Sequence, residues 1–280
     1  MKRIVCLLLI WPTLSFAAAD NARRAPGARP ALDDFFTLYQ PFVGNISAYD
    51  PIYFLVGSDP EDSKFQISFK YRFFDAKHPL GIRCPWLQGL NLGYTQTSYW
   101  DLEAKSAPFE DNSYKPELFF LSDSILPHAS KTRGLFVQTG LKHESNGRSG
   151  DESRSTNTAY VKPILILYNP ASRLGVHLAP GIAAYFNNED EYNPDLPAYR
   201  GNVELELKVG WAEGVVMSSS VRLAQKGASL AVDTTFPLRR FWSGAAGLYL
   251  QLQYVDALAE SLIDYKKRTQ AVRFGFSIVR

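Results

Sequence analysis

Apolar and polar residues alternate along most of the chain, and this pattern constrains the possible folds more than any other sequence feature. The alternation is strict over residues 64–74, 203–211 and 248–254. Because successive side chains of a β-strand point to opposite faces, each run predicts a strand with one apolar and one polar face. After the N-terminal segment, no apolar run reaches the roughly 20 residues that a membrane-spanning helix requires. The sequence therefore predicts a fold built from strands.

The number of alternating runs favours a closed barrel. An even number of antiparallel strands can close into a bacterial membrane barrel that leaves no sheet edge unpaired. Periodicity alone also allows a water-soluble barrel, whose faces would be inverted. Runs of about ten residues match a tilted bilayer crossing, and aromatic residues at strand ends are typical of the membrane interface. We therefore predict an all-β fold, a transmembrane antiparallel β-barrel of about 12 strands. The runs lie near 52–58, 64–74, 87–99, 116–123, 134–145, 157–168, 174–186, 199–211, 215–226, 228–237, 245–256 and 270–279, and the aromatic residues are Trp100, Tyr168, Trp211 and Trp242.

The N-terminus has the features of an export signal. A basic start is followed by an apolar run from Ile4 to Phe16 and by three alanines at 17–19. This order is typical of a secretory signal peptide, although a buried N-terminal helix is the alternative. We predict a signal peptide over 1–19, an irregular periplasmic segment over 20–51 and the barrel over 52–280. Once the signal is removed, Cys84 is left without a cysteine partner.

The predicted strands carry charges of both signs on their polar faces. A net charge of only +2 at pH 7 gives no indication of a nucleic-acid partner. In a barrel of this size we expect these charges to face inward and to pair, because an unpaired buried charge is costly. The residues predicted to face inward are Lys64, Lys70, Arg72, Glu204, Glu206 and Lys208.

The stretch from His143 to Asn157 carries the strongest chemical signal. His143 and Ser145 are two residues apart, so they share the strand face that also carries apolar side chains at 135, 137 and 141. Asn157 is in phase with the apolar face of the next run, and a hairpin over 134–168 can place it beside His143. A serine nucleophile needs a neighbouring base, and an amide can orient that base. A lone His-x-Ser pair on a strand is usually structural, so the surrounding residues decide the interpretation.

Those residues resemble the outer-membrane phospholipase A family of Gram-negative bacteria. The pattern His-x-Ser-Asn-Gly-Arg-Ser begins at His143, and Ser-Arg-Ser-x-Asn ends at Asn157. Further segments resemble the family in its order, from about residue 90 to the C-terminus. These segments are Tyr94-Thr95-Gln96, Ser106-Ala107-Pro108-Phe109, Tyr114-Lys115-Pro116-Glu117, Asn193-Pro194-Asp195 and Glu260-Ser261-Leu262-Ile263-Asp264-Tyr265.

The resemblance implies a twelve-stranded barrel and a serine hydrolase of the phospholipase A1/A2 type. Such an enzyme hydrolyses acyl ester bonds of phospholipids and lysophospholipids with His143, Ser145 and Asn157. It would lie in the outer membrane, among its lipids, with the active site towards the outer leaflet. One alternative is a non-catalytic porin or structural barrel, in which the phase of the three residues is accidental. A soluble esterase is less compatible, because no Gly-x-Ser-x-Gly elbow is present.

The resemblance also implies a Ca²⁺ cofactor, for which the polar loop after Ser145 offers oxygen ligands. The implied ligands are the Arg148 carbonyl, Ser153 and, from a dimer partner, Ser106. The Gly147 amide and a calcium-bound water would face the oxyanion. Tyr192 stands where the family has an acidic ligand, and we select the neighbouring Glu191. A second family acid is replaced by Gly150, and a plain hairpin turn without metal is the alternative for this loop.

Gln96 is the predicted contact between two copies of the chain. The resemblance implies that it hydrogen-bonds across an active homodimer, and a polar group on a lipid-facing surface can favour association. On a strand, Gln96 shares a face with Tyr94 and Ser98. The alternative is a glutamine that points into the barrel.

Overall fold

Antiparallel strands form the wall of a closed barrel, as predicted. The computed structural model describes residues 43–126, 132–188, 191–211, 213–242 and 247–280. Consecutive strands from β2 to β13 pair antiparallel, and β13 pairs with β2 to close the ring. Within the described ranges the strands are β1 (Ile46–Ala48), β2 (Ile52–Gly57), β3 (Ser63–Arg72), β4 (Leu90–Trp100), β5 (Phe109–Leu121), β6 (Arg133–Ser145), β7 (Ser155–Asn169), β8 (Leu174–Phe186), β9 (Val203–Trp211), β10 (Val216–Ala224), β11 (Gly227–Pro237), β12 (Tyr249–Leu258) and β13 (Arg268–Val279).

The barrel wall has twelve strand positions, although thirteen strands are named. β1 and β2 together occupy the first of these positions. Both strands pair with β3, through Ala48 opposite Phe69 and Tyr53 opposite Gln66. Between them the Asp50 amide leaves the ladder and donates to the Ser68 hydroxyl at 3.0 Å. The sheet therefore begins before the predicted boundary at residue 52. The predicted signal peptide, and the segment after it as far as residue 42, lie outside the described residues.

Two strand limits differ from the prediction for physical reasons. β5 begins at Phe109 instead of 116, because Asp111 accepts hydrogen bonds from the amides of Leu262 and Ile263, both at 3.0 Å. Hydrogen bonds to one oxygen of the Asp111 carboxylate therefore hold an acidic segment that resembles a loop as part of a strand. β9 begins at Val203 instead of 199, because the preceding residues form the short helix α2 (Leu196–Arg200). The other short α-helix of the described residues, α1, spans Pro79–Arg83.

Large apolar side chains are exposed on the outer face of the wall. They include Ile67, Phe69, Leu205 and Leu252, which alternate with inward-facing polar neighbours. An exposed apolar band around a closed barrel is the arrangement expected in contact with lipid. Within the described part of the chain, no helix is long and apolar enough to cross a membrane.

Charged residues line the barrel interior, which encloses a cavity of about 420 Å³. Lys64 and Arg273 both pair with Glu260, at 2.8 and 2.7 Å, and Glu206 pairs with Lys162 at 3.0 Å. The predicted inward direction holds for Lys64, Glu204 and Glu206, which line the cavity. Arg72 keeps the same phase on β3, but it is exposed because the wall ends there.

The loops between strands separate into two sets, because antiparallel strands return the chain to opposite ends of the barrel. One end carries the connections at 101–108, 146–154, 187–202 and 259–267. At this end Leu196, Ala259, Leu262 and Tyr265 form a buried cluster, against which Tyr199 packs. The other end carries the turn at 170–173 and longer connections, which include residues 73–89.

Candidate active site

His143 and Asn157 face each other across two paired strands. They are direct partners in the ladder between β6 and β7, so their side chains leave the sheet side by side on the outer face. His143 Nδ1 and Asn157 Oδ1 are 3.0 Å apart. The hairpin predicted over 134–168 therefore brings these two residues together.

The surroundings of Asn157 fix the orientation of its amide and hence the tautomer of the histidine. Asn157 Nδ2 donates to the backbone carbonyl of Asn187 at 3.0 Å, so the oxygen of the amide faces the imidazole. His143 Nδ1 must then carry the proton that this oxygen accepts. The remaining nitrogen, Nε2, is left as a hydrogen-bond acceptor, which is the form that a general base requires.

Ser145 lies on the same outer face of β6, two residues from His143. It is half-buried, and its ladder partners are Tyr114 on β5 and Ser155 on β7. Within the described residues, the hydrogen bond of the imidazole runs to Asn157 and not to Ser145. Catalytic contacts in substrate-free structures are often longer than in the complex with substrate, so the shared face is the relevant geometry.

Asn146 organises the loop that follows Ser145, a role that sequence reasoning missed. This asparagine is buried, with 3% of its surface exposed. Its Oδ1 accepts from the amides of Arg148 and Arg154, at 3.3 and 3.0 Å, and its Nδ2 donates to the Glu152 carbonyl at 2.8 Å. One side chain therefore holds both sides of the loop together. The only signal in the sequence was its position inside the matched motif.

Gly147 occupies a backbone conformation that a larger residue would strain. Its φ is 71°, in the left-handed region. A Cβ atom at this position would lie 2.8 Å from the ring of Tyr114. The requirement for glycine is thus both conformational and steric, and it keeps the backbone amide next to Ser145 uncovered by a side chain.

The predicted metal ligands lie at the same end of the barrel but on three different loops. Arg148 and Ser153 are in the loop 146–154, Ser106 is between β4 and β5, and Glu191 is exposed between β8 and β9. Among the described residues, no group of three or more His, Cys, Asp or Glu side chains could hold a metal ion. Arg148 and Ser153 offer a carbonyl and a hydroxyl, and such oxygen donors suit Ca²⁺. The neighbouring Glu152 is paired with the Arg148 guanidinium at 2.5 Å.

Gln96 faces outward, in agreement with the predicted phase. It accepts from the Tyr94 hydroxyl at 3.1 Å and donates to the Ser98 hydroxyl at 3.2 Å, and Ser98 donates to Asn112 at 2.7 Å. The adjacent Thr95 and Thr97 line the interior cavity instead. A chain of hydrogen-bonded polar groups therefore lies on the otherwise apolar outer face.

A buried ion pair supports β6 from inside the barrel. Glu144, between His143 and Ser145, points inward and pairs with Arg200 of α2 at 2.5 Å. It also accepts from the Ser113 hydroxyl at 2.5 Å. Strand alternation places Glu144 on the face opposite His143 and Ser145, but nothing in the sequence indicated Arg200 as its partner.

Comparisons with known proteins agree with this fold and motif. The sequence model of the family described as Phospholipase A1 matches residues 45–278. The putative phospholipase A1 of Neisseria meningitidis serogroup B is 29% identical over 222 residues, which cover 76% of this chain and 53% of the relative. The chain thus spans about half the length of that relative. The phospholipase A1 of Salmonella typhimurium is 28% identical over 258 residues, which cover 87% of this chain and 82% of the relative.

Solved structures share the barrel. The outer membrane phospholipase of Salmonella typhi, crystallised as a dimer with bound calcium, matches with a TM-score of 0.66 and 23% identity, covering 84% of this chain and 92% of its own. Outer membrane phospholipase A from Escherichia coli matches with a TM-score of 0.65 and 24% identity, covering 86% and 93%. At these identities the structures show a shared fold. Together with the family match, they confirm the predicted barrel and the predicted resemblance.

Proposed function

Because this chain belongs to the phospholipase A1 family, we propose that it is an outer-membrane serine hydrolase that cleaves acyl ester bonds of phospholipids and lysophospholipids. The observation that carries the proposal is the 3.0 Å contact between His143 Nδ1 and Asn157 Oδ1, on the face that also carries Ser145. This contact leaves the base nitrogen of the histidine available to the serine. Its position on the outer, apolar face of the wall suits a substrate that arrives from the membrane.

In the proposed reaction, Ser145 Oγ attacks the ester carbonyl carbon while its proton passes to His143 Nε2. The resulting tetrahedral intermediate collapses, and the same nitrogen returns the proton to the departing glycerol oxygen. Water then attacks the acyl-enzyme, with His143 again acting as the base, and fatty acid leaves. Asn157 holds the imidazole in the required tautomer throughout. A neutral amide stabilises the imidazolium less than a carboxylate would, but it costs less to keep beside lipid.

The amide of Gly147 is the proposed donor to the oxyanion. It follows Ser145 by two residues, and the loop that carries it is held by Asn146. Bound Ca²⁺ would add positive charge beside the oxyanion, held by the Arg148 carbonyl and Ser153 of one subunit and Ser106 of the other. Glu191 is proposed as the acidic ligand. These oxygen donors fit the preference of the ion.

We propose that the active form is a homodimer that associates through the face around Gln96. The ladder places Gln96 opposite Tyr114, and Tyr114 opposite Ser145, so the three residues form one row across β4, β5 and β6. At a strand spacing of about 4.8 Å, Gln96 is about 10 Å from the nucleophile. A partner bound there would cover the site and complete a cleft for an acyl chain. Polar groups in lipid gain from such a partner.

The loop end that carries the site is proposed to face the outer leaflet. The opposite end carries the turn at 170–173, which is typical of the periplasmic side of bacterial barrels, together with the longer connection at 73–89. Intact outer leaflets contain little phospholipid, so the enzyme would stay idle until bilayer damage supplied substrate.

The proposal is tested by incubating the refolded full chain with a phospholipid in detergent and measuring the release of fatty acid. We expect release that requires calcium and stops on addition of a chelator. A heat-modifiable barrel that releases no fatty acid at any calcium concentration would instead support the non-catalytic alternative.

A further inference from the structure

Asn193 is fully buried, with 0% of its surface exposed, although it lies in a loop. It belongs to the Asn193-Pro194-Asp195 segment, to which the proposed chemistry assigns no role. Its side-chain amide makes two hydrogen bonds to the backbone of a single residue, Ser155. The Ser155 amide donates to Asn193 Oδ1 at 3.2 Å, and Asn193 Nδ2 donates to the Ser155 carbonyl at 3.0 Å.

These two bonds reproduce one rung of an antiparallel ladder. In such a ladder, two opposed residues exchange both N–H···O bonds. The pairing of β7 with β8 ends at Asn157 opposite Phe186. In the same register Ser155 would face residue 188, but the chain turns away at Asn187, where φ is 44°. The Asn193 amide occupies the place that the strand has left.

The divergence of the chain after β8 is what orients the amide of Asn157. Because the chain turns at Asn187, the carbonyl of that residue accepts from Asn157 Nδ2 at 3.0 Å, and the Asn157 oxygen is aimed at His143. Without the Asn193 amide, this turn would leave the backbone of the first residues of β7 without hydrogen-bond partners on the side of β8. Asn188 completes the arrangement, since its Nδ2 donates to the Asn193 carbonyl at 2.7 Å and its Oδ1 accepts from Asn193 Nδ2 at 3.1 Å.

The geometry points to Asn193 as a positioning residue that acts through Asn157. It substitutes for a rung of the ladder, so that the loop can diverge and orient the Asn157 amide while β7 stays fixed beneath it. The inference rests on the proposed function, because it assigns Asn157 the task of orienting His143. Asn193 touches neither Ser145 nor His143, so its effect on turnover passes through Asn157.

The test compares Asn193→Ala, Asn157→Ala and the double variant, each as a heat-modifiable full-length barrel assayed over a range of lysophospholipid concentrations that reaches saturation. We expect Asn193→Ala to lower kcat about 10-fold with KM unchanged, since small misplacements of catalytic groups have effects of this order or larger. In the Asn157→Ala background, Asn193→Ala should lower kcat no further, because the residue it positions is already absent. Full activity of folded Asn193→Ala, or losses that multiply in the double variant, would overturn the inference.

Two further variants keep the test decisive. If Asn193→Ala does not fold, Asn188→Ala removes only the amide that holds Asn193 and should lower kcat about 3-fold, through the loss of its two hydrogen bonds to Asn193. An unchanged kcat in that variant would count against the inference. Asn202→Ala is the matched control, because this exposed amide of the same connection donates to the Ala183 carbonyl, at 2.8 Å and away from the site. It should retain full activity, and a loss equal to that of Asn193→Ala would indicate general loosening of the loop.

The failure of the inference can be distinguished from the failure of the proposed function. Unchanged turnover in Asn157→Ala would contradict the proposed role of the asparagine. A loss in Asn157→Ala without a loss in Asn193→Ala would contradict only the positioning role of Asn193.

Discussion

Replacing Leu205 with arginine tests which face of the barrel wall contacts lipid. Leu205 is exposed on the outer face of β9, where its ladder partners are Pro180 and Val221. It lies six residues before Trp211, the last residue of the strand. At about 3.3 Å per residue and a tilt of about 40°, this places it roughly 15 Å from the interface, near the middle of an apolar band about 25 Å tall. Arginine there should lower the free energy of unfolding by about 2–4 kcal/mol.

Glu206→Gln is the matched control, because the neighbouring side chain points into the barrel. It loses an ion pair with Lys162 at 3.0 Å, but both groups are partly solvated, so the expected loss is about 1 kcal/mol or less. The assay is a urea titration of folding into phosphatidylcholine vesicles, followed by heat-modifiable migration in gels and by tryptophan fluorescence. Equal losses for the two variants, or a larger loss for Glu206→Gln, would refute the assignment of the faces.

Three other predictions concern the site. Asn157→Ala should lower kcat about 10-fold, equivalent to one hydrogen bond of about 1.4 kcal/mol, whereas His143→Ala should lower kcat at least 10³-fold. Equal losses for the two variants in steady-state assays would contradict the orienting role of Asn157. Asn146→Ala should lower kcat and calcium affinity together while the barrel still forms, since three side-chain hydrogen bonds of about 1 kcal/mol each are lost from the loop. A hydrolysis rate that depends on calcium concentration as in the unmodified chain would count against this prediction. Calcium should tighten the dimer, because binding and association are reciprocal, and Gln96→Ala should weaken it by removing a proposed contact. Sedimentation that shows only monomers at full calcium-dependent turnover would exclude dimerisation as a requirement for activity.

Alternation predicted the wall well because the outer and inner faces of a membrane barrel differ so strongly in polarity. The run predicted over 174–186 coincides with β8. The prediction missed the first residues of β5 because Asp111 Oδ2 accepts hydrogen bonds from the amides of Leu262 and Ile263, about 150 residues away in sequence. A local pattern cannot reveal such a partner.

The same distinction applies to the candidate site. His143, Ser145 and Asn157 could be placed on one face from strand phase alone. Asn146 and Asn193 could not be assigned roles, because each bonds to backbone groups whose position depends on the loop conformation. The amide of an asparagine resembles a peptide group, so its role becomes visible only when the backbone that it replaces is known.

The central claim is that Ser145 is a nucleophile activated by His143 on the outside of a membrane barrel. The most direct measurement is the rate at which purified Ser145→Ala releases fatty acid in the presence of calcium, after its heat-modifiable migration has shown that the barrel is folded. We expect a rate reduced at least 10³-fold from that of the unmodified chain. Substantial hydrolysis by the folded variant would contradict the serine mechanism.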